Sequence, residues 1–163
     1  SQNQNPNAVI VIDTMNLWIE TTLSSLEKVL LSSNILLINE SESFQLTSEN
    51  NIKDAADSLL KMGPEIVVIK KGSRGAELFS LNERIEVGAY PVENVIDPTG
   101  AGDVFAGAFT ASLAAKESNE AALLHASASA SISIESFGVE KLKNATSEEI
   151  KERINFLSST LKS

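Results

Sequence analysis

The run Val95-Ile96-Asp97-Pro98-Thr99-Gly100-Ala101-Gly102-Asp103-Val104-Phe105-Ala106-Gly107-Ala108-Phe109 joins an apolar pair to a small-residue helix through a loop made almost wholly of backbone. At a helix N-terminus such a loop leaves N–H groups without intrahelical partners, and together with the helix dipole they form a ready anion site. The amides of Gly100, Ala101 and Gly102 can donate to phosphate oxygens without side-chain interference, and glycine permits backbone angles that other residues resist. Phosphoryl transfer asks mainly for positioning and for stabilisation of charge on the equatorial oxygens. Asp103, at the start of the helix, is the carboxylate that would orient an acceptor hydroxyl and take its proton as the new bond forms. The competing account is a glycine-rich helix start that lets two elements pack closely; the length and order of the run favour chemistry.

Two further stretches have the composition of ligand loops. Lys70-Lys71-Gly72-Ser73-Arg74-Gly75 follows an apolar run, and Gly72 and Gly75 would let backbone amides approach a polyphosphate whose charge the nearby cations offset. Its spacing fits neither a Walker loop nor a dinucleotide fingerprint, and a plain hairpin turn explains it equally. Asn39-Glu40-Ser41-Glu42 also follows an apolar run. Its oxygen donors suit a hard cation that keeps much of its water; taken alone, a solvated acidic loop accounts for it better. The lone histidine, His125, reads by itself as structural, and Trp18 as core.

These residues need a scaffold, and the chain offers alternating strands and helices. Residues 8–12, 35–38 and 66–69 are continuous apolar runs, expected as strands buried on both faces, and they end at Asp13, Asn39 and Lys70. Leu23, Leu26, Val29 and Leu30 recur at helical spacing. A helix is expected over about 48–62 with Ile52, Ala56 and Leu59 on one face, stopped by Gly63-Pro64. Residues 76–80 and 84–90 alternate as a half-buried antiparallel hairpin around 81–83. Two Ala/Ser-rich helices follow, over about 101–116 and 119–136. The last helix opens with Thr146 and Glu149 as a capping box and buries Ile150, Ile154, Leu157 and Leu161. The expectation is an open α/β sheet, mostly parallel with one antiparallel hairpin, with ligands at its carboxyl edge.

Composition sets outer limits. The 163 residues suffice for one real core, and 42% apolar with 21% charged residues is ordinary globular composition. A formal net charge of −9 argues against nucleic acid and anionic membranes as partners, although a local site can still hold a small phosphate. No run is long enough to span a bilayer, the polar start shows no signal peptide, and without cysteine thiolate chemistry is excluded. A cytoplasmic location is expected.

The run Asp97-Pro98-Thr99-Gly100-Ala101-Gly102-Asp103 resembles the signature of the ribokinase-like (phosphofructokinase-B) carbohydrate kinases. Asn39 and Glu42 match that family's Asn-x-x-Glu motif, and the 70–75 stretch resembles its glycine turn beside the nucleotide phosphates. The resemblance implies a ribokinase-like, Rossmann-like three-layer sandwich and ATP as phosphoryl donor to a hydroxyl of a sugar or sugar-like molecule. It implies Asp103 as base, with Gly100, Ala101 and Gly102 as anion hole. Lys70, Gly72, Ser73, Gly75 and His125 would contact the nucleotide, and Asn39 and Glu42 would position magnesium and phosphate. Asp97 and Thr99 either hold a potassium ion, with carbonyls of 133–138, or form a hydrogen-bonded pair that stabilises the loop. Asp13 and Asn16 resemble a family Asp-x-x-Asn element. Pro98 departs from the threonine common there, a change that fixes one angle and removes one donor.

The resemblance covers the second half of such kinases. It implies that residues 1–163 are the nucleotide-binding portion of a partial domain, without the lid and most acceptor contacts. An uncovered sheet edge then predicts a homo-oligomer or association with another chain. The alternative is a non-catalytic nucleotide-binding or assembly module, inactive as it stands.

Overall fold

The computed structural model describes residues 8–14 and 23–162; Asn16 and Trp18 lie outside the described residues. In chain order its elements are β1 (Val11–Asp13), α1 (Leu23–Leu30), β2 (Ile35–Asn39), α2 (Glu40–Thr47), α3 (Ile52–Lys61), β3 (Ile66–Lys70), a 3-10 turn (Gly72–Arg74), β4 (Ala76–Ser80), β5 (Arg84–Val87), α4 (Ala101–Ala114), α5 (Asn119–Ser133), α6 (Glu140–Asn144) and α7 (Ser147–Ser158). The strands form one sheet in the order β1-β2-β3-β4-β5. β1 is parallel to β2 with Val11 opposite Ile35, and β2 is parallel to β3 with Ile35 opposite Ile66. Residues 81–83 are too few for a crossover, so β4 and β5 form the antiparallel hairpin. The chain builds the expected mostly parallel α/β sheet. It divides into two compact units, residues 1–70 with 78–83, and residues 71–77 with 84–163.

In the first unit, Leu36 and Ile38 of β2, Val67 and Ile69 of β3, Leu26 and Leu30 of α1, Ala56 and Leu59 of α3, and Phe79 form one buried cluster. β2 has the two-faced burial its unbroken apolar run predicts. β1 corrects the expectation for 8–12: Val11 and Ile12 are half-buried, Asp13 is exposed and Val9 is 64% exposed. The reason is position, since β1 ends the strand order and pairs only with β2 among the described residues. Val29 also leaves the expected apolar face, at 47% exposure. α2 corrects the loop expected after Asn39. The Asn39 side chain accepts the Glu42 amide and the Glu42 side chain accepts the Asn39 amide, a complete capping box that starts a helix.

In the second unit α4 packs on α5. α5 buries Ala122, Leu123, Leu124, Ala126, Ala128, Ser131, Ile132 and Ser133, so it is enclosed around most of its circumference and carries no clean apolar stripe. Thr146 caps α7 by accepting the Glu149 amide at 3.1 Å. The Glu149 carboxylate pairs instead with Lys141 and Arg153. Of the four apolar residues expected to be buried there, Leu157 is fully buried, Ile150 and Ile154 are half-buried, and Leu161 lies past the helix end. Arg153 occupies the buried face instead, at 5% exposure. β5 stops at Val87 rather than 90, because the next amide, that of Gly88, donates to Thr160 Oγ1 at 2.9 Å.

Candidate functional site

β2 and β3 end together at Asn39 and Lys70 and β1 ends at Asp13, opposite Leu37, so in the first unit the three parallel strands bring polar residues to one carboxyl edge. Lys70 Nζ lies 2.8 Å from both Oδ1 and Oδ2 of Asp13, and both side chains are only partly exposed. Lys70 is therefore half of an ion pair, a partner the sequence did not reveal. Asn39 Oδ1 accepts the Glu42 amide and the Ser41 hydroxyl, each at 2.8 Å. Glu42 is buried at 4% exposure; its Oε2 accepts the Asn39 amide at 3.2 Å and the Thr14 hydroxyl at 3.3 Å. Thr14 is the contributor here that sequence reasoning missed, for a threonine one residue past a strand carries no signal.

These donors fit a hydrated magnesium ion rather than a caged one. They are all oxygen, and Glu42 Oε2 and Asn39 Oδ1 already serve the helix start. Among the described residues no cluster of three or more His, Asp or Glu is arranged to hold a metal. Magnesium commonly takes one or two carboxylates, several waters and the substrate phosphates.

In the second unit, Gly100 precedes α4 with φ +78°, a left-handed conformation in which glycine pays no Cβ penalty, and open space surrounds it. Pro98, Thr99, Gly100 and Asp103 are exposed, so the helix start faces outward. The Ala101 amide donates to the Pro98 carbonyl at 3.2 Å, and the Val104 amide to the Gly100 carbonyl at 2.9 Å. That corrects the expected donor set. Ala101 is committed to the turn, while the amides of Gly100, Gly102 and Asp103 have no backbone partner among the described residues. Asp97 Oδ1 accepts the Thr99 amide at 2.9 Å. The Thr99 hydroxyl and amide, and behind them the Gly138 amide, hold the Asp97 carboxyl below its ordinary range. Asp97 and Thr99 thus form a hydrogen-bonded pair. The Ile134 carbonyl, within 133–138, is taken by the amides of Ile96 at 2.8 Å and Asp97 at 3.2 Å.

The glycine turn also belongs to this unit, and its residues differ from one another. Gly72 and Ser73 are exposed, and Gly72 has φ +59° with nothing within 4 Å of a Cβ. They are free to approach a ligand. Gly75 is glycine for another reason: at φ +92° its Cβ would stand 2.0 Å from the Val87 carbonyl oxygen. Lys71 does not face a ligand either. It is buried, its Nζ 2.7 Å from Glu86 Oε1 and 3.4 Å from Glu77 Oε2, and Arg84 Nε reaches Glu77 at 2.6 Å. His125 is half-buried on α5, between the buried Leu124 and Ala126.

The chain can now be set beside known proteins. The model of the pfkB family carbohydrate kinases matches residues 2–145. The chain is similar to a cytidine kinase of Thermococcus kodakarensis, 40% identical over 79 residues that make up 47% of this chain and 28% of that protein. It is similar to a ribokinase of Arabidopsis thaliana, 36% identical over 110 residues, 64% of this chain and 29% of that protein. The solved Arabidopsis ribokinase, complexed with ribose and ATP, superposes with a TM-score of 0.75 at 26% identity, covering 91% of this chain and 48% of that one. A candidate ribokinase II of E. coli, solved with ATP and magnesium, gives a TM-score of 0.80 at 30% identity, covering 93% and 50%. The chain spans about half the length of these structures, and its matches span under a third of the two curated relatives. Sequence, fold and solved neighbours agree: the chain belongs to the pfkB family of carbohydrate kinases.

Proposed function

We propose that residues 1–163 are the nucleotide-binding portion of an ATP-dependent kinase that phosphorylates a hydroxyl of a sugar or sugar-like small molecule. The observation that carries this reading is the exposed start of α4, where the amides of Gly100, Gly102 and Asp103 have no backbone partner among the described residues and stand beside the Asp103 carboxylate. In this reading the amides stabilise charge on the transferred phosphoryl group, and Asp103 accepts the proton of the attacking hydroxyl. Gly72 and Ser73 approach the nucleotide with backbone amides, and His125 is a contact to its base. Lys70 adds a positive charge that Asp13 orients. Asn39 and Glu42 would hold a hydrated magnesium ion, which when bound neutralises charge on the phosphate oxygens. ATP, magnesium and ribose in the solved relatives support this assignment of co-substrate, ion and acceptor class.

A second reading concerns the chain by itself: nucleotide binding without turnover. It is favoured by the chain's span of about half of each solved relative, since in-line transfer needs acceptor and donor held together with water excluded. Association through β1, the terminal strand of the order, and a cytoplasmic setting belong to the same proposal. Calorimetry with ATP and magnesium, followed by a kinase assay over sugars and nucleosides, separates the two. Binding with turnover supports the first, binding alone the second, and neither refutes both.

A further inference from the structure

Every residue in this inference belongs to the unit of residues 71–77 and 84–163. Arg153 of α7 is 5% exposed, and its guanidinium lies 4.5 Å from the centre of the Tyr90 ring. Its Nη1 donates to Ser131 Oγ at 3.0 Å, and its Nη2 donates to Glu135 and, at 3.3 Å, to Glu149. Lys141 Nζ closes on the same Glu135 oxygen at 2.8 Å. Arg153 Nε is buried without a partner among the described residues.

A guanidinium is an expensive way to fasten two helices, because well-packed apolar residues do it without desolvating a charge. What the charge adds is a fixed location for Glu135, just past the end of α5. The neighbouring residue, Ile134, presents the carbonyl from which the amides of Ile96 and Asp97 hang. Asp97 in turn holds the Thr99 amide, one residue before Gly100 and the exposed helix start. The contacts run without a gap from Arg153 to that start.

We propose that Arg153 is a positioning residue for the turn at the head of α4: through Glu135 it locks the end of α5, and so aims the free amides of Gly100 and Gly102. The ligand those amides receive rests on the kinase reading above; the mechanical link does not.

Amide hydrogen exchange by NMR on the 163-residue chain tests the link. In Arg153→Gln the amides of Ile96 and Asp97 exchange about tenfold faster or more, while those of Phe109 and Leu123, deep in the same unit, change by less than about twofold. Glu135→Gln produces the same selective pattern, and Arg153→Lys, which keeps a donor for Glu135, recovers part of the protection. Uniform acceleration across the unit, or no change at Ile96 and Asp97, overturns the proposal. If Arg153→Gln does not fold, Glu135→Gln decides, because Glu135 is partly exposed and tolerates an amide. Nucleotide titration in magnesium adds a readout that a structural tie would not move. Arg153→Gln weakens ATP about tenfold and leaves ADP unchanged, because only the terminal phosphate meets the turn. A wild-type chain that binds neither nucleotide refutes the kinase reading, and the exchange result still decides the link.

Discussion

Replacing Gly75 by alanine separates two reasons for a glycine, and the cost can be worked out in advance. Gly75 has φ +92° and ψ −143°, a region almost closed to residues with a Cβ, which costs about 1–3 kcal/mol by itself. The added Cβ would also stand 2.0 Å from the Val87 oxygen and 2.5 Å from the Gly88 carbonyl carbon. Both are main-chain atoms, so no side chain can swing aside and the backbone after β5 must shift. Forced overpacking adds about 1–3 kcal/mol, for a total of about 2–6 kcal/mol. Gly72 is the internal control. It sits at φ +59° in open space, so alanine there costs only the left-handed penalty of about 1–2 kcal/mol, partly offset by a less flexible unfolded chain. With a urea slope of about 2 kcal/mol/M, the Gly75→Ala midpoint falls by about 1–3 M and the Gly72→Ala midpoint by about 0.8 M or less. Equal shifts, or a larger one at Gly72, refute the steric argument. A tolerated Gly75→Ala that loses ATP would return Gly75 to the ligand.

Three further outcomes are expected. Asp103→Asn in the complete parent kinase should lower turnover about 10²–10⁴-fold with ATP affinity nearly unchanged, and steady-state kinetics that keep turnover remove Asp103 from the role of base. Asn39→Ala should cost about 1 kcal/mol as α2 loses its cap, whereas Asn39→Asp keeps the cap; thermal melts measure this, and equal losses would show that the cap adds nothing. Acidification should destabilise the fold through Glu86 and Glu135. The Lys71 hydrogen bond chiefly lowers the Glu86 carboxyl; burial raises that of Glu135, but Lys141 and Arg153 outweigh it. Below the ordinary value of 4.5 the unfolded chain therefore binds more protons than the folded one. The stabilisation is complete above that value and is lost as pH falls through the lower folded values. Glu135→Gln should flatten the melting-temperature profile on that acid limb, and an unchanged profile contradicts the assignment.

Strands β2 and β3 were legible because burial on both faces leaves an unbroken apolar run, and the hairpin because half-burial leaves alternation. β1 has the same composition as its neighbours yet stands at the end of the order, and position in a sheet is not written in a strand's own residues. Asn39 and Glu42 were singled out for their oxygens; the same atoms, read as cap and box, announce α2. The exposed turn before α4 was legible because Gly-Ala-Gly offers nothing but backbone. That Ala101 is committed to Pro98 was not, since it depends on one turn's dihedral angles. Long-range partners were invisible throughout: Lys70 with Asp13, Thr14 with Glu42, and Arg153 with Glu135 are 57, 28 and 18 residues apart.

Lys70 and Lys71 show how adjacent, identical residues acquire different tasks. In a strand, consecutive side chains point to opposite faces, and Lys71 follows directly on β3. Lys71 lies buried between Glu86 and Glu77, whereas the Lys70–Asp13 pair remains partly open to water. Removing one member of a buried pair costs about 3–5 kcal/mol when its partner is stranded. Here neither carboxylate is stranded, because Arg84 still reaches Glu77 and Lys162 still reaches Glu86. Lys71→Met should thus fall at or below the lower end of that range, about 2–3 kcal/mol, and leave ATP affinity within about twofold. Lys70→Met should do the reverse, with little loss of stability because its ion pair is accessible to solvent, and a measurable loss of nucleotide affinity. Denaturant unfolding and calorimetry on the two variants measure both quantities. If Lys71→Met weakens ATP tenfold while the fold holds, the ammonium leaves its carboxylates for the phosphate, and the burial that separates the two lysines does not describe the working state.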